Sequence, residues 1–493
     1  KSEFSDRLIV IDEVQNIRIS NDAALKRVSA NLMKLVDIAE NVKLLLLSAT
    51  PMFNTHKEIV WLINLMNAND GRSTINIKDV FTETGKFRTS TSGEIVGKEL
   101  LMKKARGYIS YVRGDNPYTF PYRIFPSMFS SELSLKNKEY PTRQATKTDI
   151  KNPIQTLDLF VNDIGEYQQK GYNYLVEQID QKIPDDRQLE VGLGYTTLEP
   201  PIQSLNIVFP SKELDKLKEG EKLENNRSLI GKEGLSRCMD YKKTTRQGFS
   251  YNKSIQKKYG NIFSPDEIGK YSSKIKQICD MVLKTKGIIL IYSQYIDGGC
   301  VPMALALEEM GFKRAGDNSR SFFKKAPKGL DSMKGKRYAM ITGDTSISPN
   351  NQEEIKALTN DNNKYGEKIK VVIISKAASE GIDFKNIRQV HIMEPWYNLM
   401  RIEQIIGRAV RTYSHILLPF IERNVQIFLH GTLLENKEEE SLDLYVYRLA
   451  ERKAINIGII SRILKEVSVD CLLNSEQNNF TEDSLDQEVE LTL

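Results

Sequence analysis

Residues 8–15 have the sequence Leu-Ile-Val-Ile-Asp-Glu-Val-Gln, and this stretch decides the fold of the first part of the chain. It is an apolar run of strand length that ends in two carboxylates. A second apolar run, residues 43–47, ends in Ser-Ala-Thr-Pro at residues 48–51. Runs that are apolar on both faces favour a buried parallel sheet with helices on each side. Residues 21–40 have helical periodicity, so strand, helix and strand recur as in a doubly wound α/β domain.

A second α/β pattern begins near residue 264. Strands are predicted over residues 287–292, 337–341, 370–374, 389–393 and 425–429, and helices over 266–286, 301–311, 351–359, 400–412 and 441–466. Ser264 is the expected cap of the first of these helices, with Pro265 at its first position. Residues 127–262 are polar and have little periodicity. The prediction is an α/β chain with four segments, residues 1–125, an inserted or linking subdomain at 126–262, then 263–440 and 441–493.

Composition narrows the class of protein. The formal net charge of +5 over 493 residues is too mild to prove a nucleic-acid partner. The four cysteines form no CxxC pair, and the four histidines have no metal-ligand spacing, so a structural zinc site is not expected. The apolar runs are far shorter than the roughly 20 residues of a membrane helix, so neither a membrane helix nor a signal peptide is expected. Because the sequence starts at Lys1 rather than Met, we expect a fragment of a longer protein.

The carboxylates after the first strand are candidates for catalysis. The carboxyl end of such a strand borders the crevice where α/β sheets bind ligands. Asp12 can hold Mg²⁺, which prefers oxygen ligands, and Glu13 can orient or deprotonate a water molecule. Acid pairs after strands also cap helices, and Thr50 or Asn54 can equally serve as a helix N-cap. The residues alone leave both interpretations open.

Residues 375–384 and 404–411 contain the candidate nucleotide-binding residues of the second α/β pattern. In the first stretch, small side chains allow phosphates to approach the backbone, Gly381 allows a tight turn, and Asp383 can bond a ribose or hold an arginine. The second stretch, Gln-Ile-Ile-Gly-Arg-Ala-Val-Arg, puts two arginines three residues apart, which places them on one helix face. Paired guanidinium groups suit the oxygens of a transferring phosphate. An ordinary loop and a basic solvated helix face are the alternatives.

The order of these motifs resembles that of superfamily two helicases and translocases. Residues 47–54 are similar to the Swi/Snf-type branch. Residues 113–121, 292–299 and 381–391 resemble the helicase-type ATPases of large nucleocytoplasmic DNA viruses, a group that includes the poxvirus-type early transcription factor ATPase subunit and nucleoside triphosphatase I. The resemblance covers most of residues 1–125 and 264–466.

This resemblance implies two RecA-like parallel-sheet domains, the first truncated at its N-terminus, that hydrolyse ATP between them with Mg²⁺. It implies that Asp12 holds the ion, that Glu13 activates water, and that Gln15 touches the γ-phosphate or the other domain. It implies that Ser48 and Thr50 couple ATP hydrolysis to movement. The remaining implied residues contact the nucleotide or complete the site: Gly381, Asp383, Gln404, Gly407, Arg408 and Arg411.

The sequence departs from the family pattern in one respect. It contains no G-x-x-x-x-G-K-[ST] motif, which is the phosphate-binding loop of the family. We expect this loop to lie upstream of the chain and the chain alone to be inactive. The alternative is a non-catalytic pseudo-ATPase adaptor that binds DNA or polymerase. The retained Glu13, Arg408 and Arg411 argue against the adaptor, since a dead site has no need of them.

Nucleic-acid contacts are predicted for a stretch without acids between Asp240 and Asp266. Its basic residues are Lys242, Lys243, Arg246, Lys253, Lys257 and Lys258, with Phe249, Tyr251 and Tyr259 among them. This pattern suits a phosphate backbone with some base stacking, although solvated surface is the alternative. Residues 313–337 form a further basic cluster. The resemblance implies an ATP-dependent helicase or translocase that serves viral transcription in the host cytoplasm or the virion. It is expected to track nucleic acid without sequence specificity, with DNA favoured over RNA, and to have the viral RNA polymerase as a partner.

Overall fold

The computed structural model describes residues 3–17, 23–111, 118–179, 195–218, 221–242, 244, 246–316, 321–376 and 382–473. The chain divides into two compact units. The first unit is Lys1–Gly114 with Arg452–Leu493, and the second unit is Asp115–Glu451. The four segments drawn from the sequence stay a prediction.

The strands of the described residues are β1 (Leu8–Ile11), β2 (Lys43–Leu46), β3 (Tyr122–Ile124), β4 (Phe160–Asp163), β5 (Met239–Lys242), β6 (Gln247–Tyr251), β7 (Ile288–Tyr292), β8 (Lys313–Arg314), β9 (Arg337–Ile341), β10 (Ile369–Ile374), β11 (Ile387–Ile392) and β12 (Asn424–Leu433). The helices are α1 (Ala23–Ile38), α2 (Ile59–Asn69), α3 (Ile77–Val80), α4 (Val96–Ala105), α5 (Pro126–Phe129), α6 (Glu166–Glu177), α7 (Tyr195–Asn206), α8 (Lys212–Lys216), α9 (Gly231–Cys238), α10 (Lys253–Tyr259), α11 (Ile268–Tyr271), α12 (Ser273–Lys284), α13 (Val301–Glu309), α14 (Asn351–Leu358), α15 (Leu399–Ala409) and α16 (Leu442–Glu466).

In the first unit, β1 and β2 form a parallel pair with Leu8 beside Lys43 and Ile11 beside Leu46. One face of this pair packs on the core of the unit. The other face is exposed: Leu8 is 63% and Val10 is 52% accessible. The expectation that these apolar runs are buried on both faces is therefore wrong for β1 and β2, because the described helices cover one side.

The second unit contains an eight-stranded sheet in the order β3-β12-β11-β7-β10-β9-β8, with β4 also paired to β12. All of its described pairings are parallel. Side chains of α12 and α13 pack on one face of β7 and β10, and side chains of α14 and α15 pack on the other. The predicted α/β fold with a large parallel sheet is confirmed. Every residue of β7 and β10 is buried.

Two predicted helices differ from the structure. The stretch 266–286 contains two helices, α11 and α12, because the hydroxyl of Ser272 caps α12 by accepting a hydrogen bond from Ile275 N at 3.1 Å. Ser264 is therefore not the cap of a long helix. The helix predicted to end at residue 412 ends at Ala409. None of the described helices is long and apolar enough to cross a membrane.

Candidate functional site

The first group of candidate residues follows β1 in the first unit. Glu13 has left-handed backbone angles, φ 53° and ψ 47°, which cost an L-residue about 1–2 kcal/mol. Asp12 Oδ1 accepts a hydrogen bond from Glu13 N at 2.9 Å, and Val14 N donates to Leu47 O at 3.1 Å. The turn is therefore tied to itself and to the end of β2. Both carboxylates are exposed, so they are accessible to a ligand.

A chain of side-chain hydrogen bonds connects this turn to the loop after β2. Gln15 Nε2 donates to Glu13 Oε2, and Ser48 Oγ donates to Gln15 Oε1 at 2.5 Å. Ser48 Oγ in turn accepts from Thr50 N at 2.9 Å. The amide orientation follows from the chemistry, since an ionised carboxylate only accepts. Because Gln15 is only 2% exposed, this link between the two loops is largely shielded from water.

Glu58 is a supporting residue that the sequence interpretation missed. Its carboxylate accepts hydrogen bonds from Phe53 N at 2.7 Å and from Asn54 N at 3.2 Å. These bonds fix the loop that begins with Ser48 and Thr50. The available signal was the spacing from Thr55 to Glu58, which is that of a capping box.

The second group of candidate residues follows β10 and ends α15 in the second unit. Val410 leaves the helical region at φ −103° and ψ 88°, so Arg411 lies beyond the helix. The interpretation of two arginines on one helix face is therefore wrong. Arg411 Nη1 is nevertheless 2.7 Å from Asp383 Oδ1, and Arg408 Nη1 is 3.9 Å from the same oxygen. Asp383 thus gathers both guanidinium groups, one closely and one loosely.

Backbone contacts hold this arginine cluster, which we define as Asp383, Arg408 and Arg411. Phe384 N donates to Arg408 O at 3.1 Å, and Arg411 Nε donates to Gly407 O at 3.1 Å. The side chain of Arg408 is 16% exposed and that of Arg411 is 39% exposed. The two cations are therefore held in place but accessible.

Three further residues were predicted for this site, namely Gln404, Gly407 and Gly381. A Cβ added at Gly407 would meet no atom within 4 Å, so packing inside the described chain does not require glycine there. The role of Gly407 stays a prediction. Gln404 is half-buried on α15. Gly381 lies outside the described residues.

A buried polar network supports the loops after β7 and β11. Glu394 accepts hydrogen bonds from Gln294 N at 2.5 Å, Ser293 Oγ at 3.0 Å and Asn206 Nδ2 at 2.8 Å. Burial raises the pKa of the Glu394 carboxyl. Lys274, which is fully buried, lies 2.7 Å from a carboxylate oxygen of Asp443. Sequence interpretation missed this network, although Glu394 follows an apolar strand much as Asp12 does.

The predicted nucleic-acid residues fall into different environments. Lys242, Lys253 and Lys257 are exposed, whereas Lys258 forms an ion pair with Asp215. Lys243 lies outside the described residues. The role of the exposed lysines stays a prediction.

Arg246 and the nearby aromatic residues do not face solvent as the sequence suggested. The Arg246 guanidinium is buried between Asp297 and Asp344, with the second carboxylate at 3.1 Å. Phe249 is in the hydrophobic core and stacks on Tyr241 at 4.4 Å between ring centroids. Tyr259 is also buried. The guanidinium is committed to carboxylates, and these rings are not available for base stacking.

Comparison with known proteins places these residues in a family context. Residues 273–413 match the model of the helicase conserved C-terminal domain. This matched range includes the arginine cluster. "Putative helicase 087L" of Invertebrate iridescent virus 3 is 26% identical over 98% of the chain and 41% of that protein. "Putative ATP-dependent RNA helicase R563" of Acanthamoeba polyphaga mimivirus is 25% identical over 97% of the chain and 69% of its own length.

A further relative has the name of a termination factor. The "Termination factor NPH-I homolog" of African swine fever virus is 23% identical over 95% of the chain and 64% of that protein. A crystal structure of the C-terminal part of the Fun30 ATPase domain aligns with 64% of the chain and 98% of its own, at 16% identity and a TM-score of 0.31, which is too low to support an argument. The chain spans about two fifths to two thirds of the length of these viral relatives. The resemblance to helicases of large nucleocytoplasmic DNA viruses is confirmed.

Proposed function

We propose that the protein is an ATP-dependent nucleic-acid helicase or translocase that serves viral transcription. The observation that carries the proposal is the hydrogen-bond chain from Glu13 through Gln15 to Ser48. The chain connects the Glu13 carboxylate, the proposed base, to the loop that contains Ser48. This loop can therefore respond when the carboxylate gains or loses a proton. The matched helicase domain and the names of the viral relatives support the same class of activity.

Glu13 is the proposed base for hydrolysis. Its Oε2 accepts from Gln15, so this bond orients the carboxylate, and the exposed side chain can accept a proton from the attacking water. The left-handed backbone at Glu13 directs the residue out of the strand, and such strain commonly occurs at functional sites. Gln15 and Ser48 would transmit the state of this carboxylate to Thr50.

Arg408 and Arg411 are the proposed stabilisers of charge on the γ-phosphate of ATP. A guanidinium presents planar donors that match phosphate oxygens. Both now face the carboxylate of Asp383, which keeps them oriented before substrate binds. Because Arg411 and Asp383 are partly exposed, their ion pair is worth about 1 kcal/mol or less, so phosphate can replace Asp383 as the partner at little cost.

Asp12 is the proposed protein ligand for Mg²⁺. Within the described residues there is no group of three or more His, Cys, Asp or Glu side chains that could hold a metal ion. Mg²⁺ in nucleotide sites usually takes only one or two carboxylates, with waters and substrate phosphates as the other ligands, so the exposed Asp12 fits. The bound ion would neutralise charge on the phosphates.

The proposed second substrate is a nucleic acid, with DNA favoured over RNA. Lys242, Lys253 and Lys257 would contact phosphates, which carry no sequence information. The termination-factor relative supports a role in transcription. We propose the viral RNA polymerase as a partner and the host cytoplasm or the virion as the location.

The test uses the natural protein that contains this chain and measures phosphate release from ATP with and without DNA or RNA. Glu13→Gln should reduce stimulated release by about 10²–10⁴-fold, the contribution of a general base, while binding of a fluorescent ATP analogue stays within a few-fold of wild type. Glu94→Gln, which alters an exposed acid of the same unit, serves as the control. Unchanged release in Glu13→Gln would contradict the assigned role. Nucleic-acid binding without any release by the wild type would favour an adaptor.

A further inference from the structure

Two basic segments that lie far apart in the sequence form one surface in the second unit. Phe249 N donates to Phe322 O at 2.7 Å, and Lys324 N donates to Phe249 O at 2.9 Å. Residues 322–324 therefore lie beside β6 as a further extended segment of the β5–β6 hairpin. We call this surface the hairpin platform, and its exposed basic residues are Lys242, Lys313, Lys324, Lys325, Lys328, Lys334 and Arg337.

The hairpin platform is strongly positive. Residues 321–337 include six basic residues and one acid, Asp331, which pairs with Lys334 at 2.5 Å. Asp240 is a further exposed acid on β5. Glu308 and Glu309 lie close by but are buried and bonded within the protein. The exposed charge of this surface is therefore mainly that of lysine.

Internal bonds fix the platform in place. The buried carboxylate of Glu308 accepts from Phe322 N at 2.7 Å, Phe323 N at 2.9 Å and Tyr338 OH at 2.7 Å. On the other side, the ion pairs of Arg246 hold the turn of the hairpin to Asp297 and Asp344, in the loops after β7 and β9. Because both segments are anchored, the backbone that carries the lysines does not have to be ordered when a ligand binds.

A groove of about 360 Å³ runs along the platform at the β8 edge of the sheet. Lys313, Lys328 and Lys334 line it, together with the small residues Gly311 and Gly335. Lysine is a point charge on a flexible stem, which suits phosphate contacts and not the reading of base edges. The lysines of the groove therefore suit a ligand with regularly spaced negative charges.

We infer that the hairpin platform binds the sugar-phosphate backbone of a nucleic-acid duplex, as a contact separate from the arginine cluster. The inference rests on the proposed function of nucleic-acid translocase. A duplex is favoured over a single strand because single-strand binding depends on exposed aromatic rings. Here Phe249 and Phe322 are buried, and the hydroxyl of the half-buried Tyr251 is bonded to Glu309 at 2.6 Å.

The test measures binding of the natural protein to a labelled 30-base-pair duplex and to a single strand of equal length, over a range of salt concentrations. The variant Lys324→Ala/Lys325→Ala/Lys328→Ala should weaken duplex binding about tenfold or more. Its slope of log K against log salt should fall by about 2–3, because each lost contact to duplex phosphate removes about 0.9. Single-strand binding should weaken less than duplex binding, because each lost contact removes only about 0.7 from the salt slope of a single strand.

Two matched variants serve as controls. Lys136→Ala/Lys138→Ala/Lys151→Ala removes the same charge from other exposed positions of the second unit and should leave the slope unchanged. Replacing the three platform lysines by arginine should retain duplex binding, because the charge is kept. Thermal midpoints close to that of wild type would show that the variants are folded.

The other outcomes would overturn the inference. Duplex affinity and slope equal to those of wild type would exclude a contact at the platform while leaving the proposed ATPase intact. An equal loss for duplex and single strand would refute the duplex preference. A wild-type protein that binds neither ligand would remove the nucleic-acid part of the proposed function as well.

Discussion

The two units support their candidate residues on very different sheets. In the second unit, β7 and β10 are buried at every residue between two layers of helices. In the first unit, β1 presents Leu8 and Val10 to solvent on one face. Exposed apolar side chains on a strand mark a face that is suited to interaction with another chain segment or protein. The arginine cluster thus has a deeply buried support, and the Asp12–Glu13 turn has a half-covered one.

The two units also differ in the hydrogen bonds that support their candidate residues. Beneath the loops of the second unit lies the buried network of Glu394, Lys274 and Asp443. The turn of the first unit depends on one local chain, from Glu13 through Gln15 to Ser48. We therefore expect single substitutions in the local chain to alter function with little effect on the second unit.

The largest expected effect comes from removal of one cation of the arginine cluster. Arg408→Ala should lower nucleic-acid-stimulated phosphate release by about 10³–10⁵-fold, because Arg411 alone would supply only one of the two charges proposed for the γ-phosphate. Arg123→Ala is the matched control, since Arg123 forms an exposed ion pair with Glu403 on α15. A loss of similar size in both variants would assign the effect to damage of α15.

A pair of leucine substitutions tests the contrast between the two sheets. Leu290→Ala removes a fully buried side chain from β7 and should destabilise the second unit by about 2–5 kcal/mol. Leu8→Ala changes an exposed position of β1 and should cost less than about 0.5 kcal/mol. Hydrogen exchange of the amides of each sheet gives the local free energies. A large cost for Leu8→Ala would show that this face is covered in the natural protein.

The local chain of the first unit is tested by Gln15→Leu. This substitution leaves Ser48 and Glu13 without their common partner, at a cost of about 1–3 kcal/mol, so stimulated release should fall about 10- to 100-fold. The pattern of amide exchange in the second unit should be unchanged. Stimulated release equal to that of wild type would mean that the chain does not couple the two loops in catalysis.

The smallest expected effect concerns a buried histidine of the second unit. Burial lowers the pKa of His415 to about 4, whereas the unfolded value is 6.5. The unfolded chain therefore binds the proton first, and the contribution of this residue to stability is complete above pH 6.5 and is lost as the pH falls towards 4. His415→Asn should flatten the dependence of the free energy of unfolding on pH over this window, by at most about 1.4 kcal/mol per pH unit, as measured by urea unfolding at each pH. An unchanged dependence would refute the assignment to His415.

Local sequence pattern was sufficient for some of the strands, whereas β3, β4, β5, β6 and β8 were not predicted. Apolar runs predicted β1, β7 and β10 to within one or two residues, and for β7 and β10 the reason is burial on both faces. The end of α15 was missed because Arg408 O accepts a hydrogen bond from Phe384 N, and Ser414 O accepts one from Asn386 N. Helical periodicity does not contain such contacts with a distant segment. The roles assigned to these residues stay predictions.

Other features depend on contacts between distant segments. Lys274 pairs with Asp443, which is 169 residues away in the sequence, so no local pattern indicates it. The burial of Arg246 has the same origin, because its two carboxylate partners follow β7 and β9. Basic residues with interleaved aromatics suggested a stacking surface, but the core of the second unit takes up Phe249. A local pattern does not distinguish an aromatic residue that packs inside from one that faces solvent.

The central proposal is that stimulated phosphate release requires both Glu13 and Arg408. A double-mutant cycle on the natural protein tests it most directly, with stimulated phosphate release measured for Glu13→Gln, Arg408→Ala and the double variant. Residues that act in one step are strongly non-additive, so the double variant should release phosphate no more than a few-fold slower than the slower single variant. Losses that multiply, or single variants with wild-type release, would contradict the account.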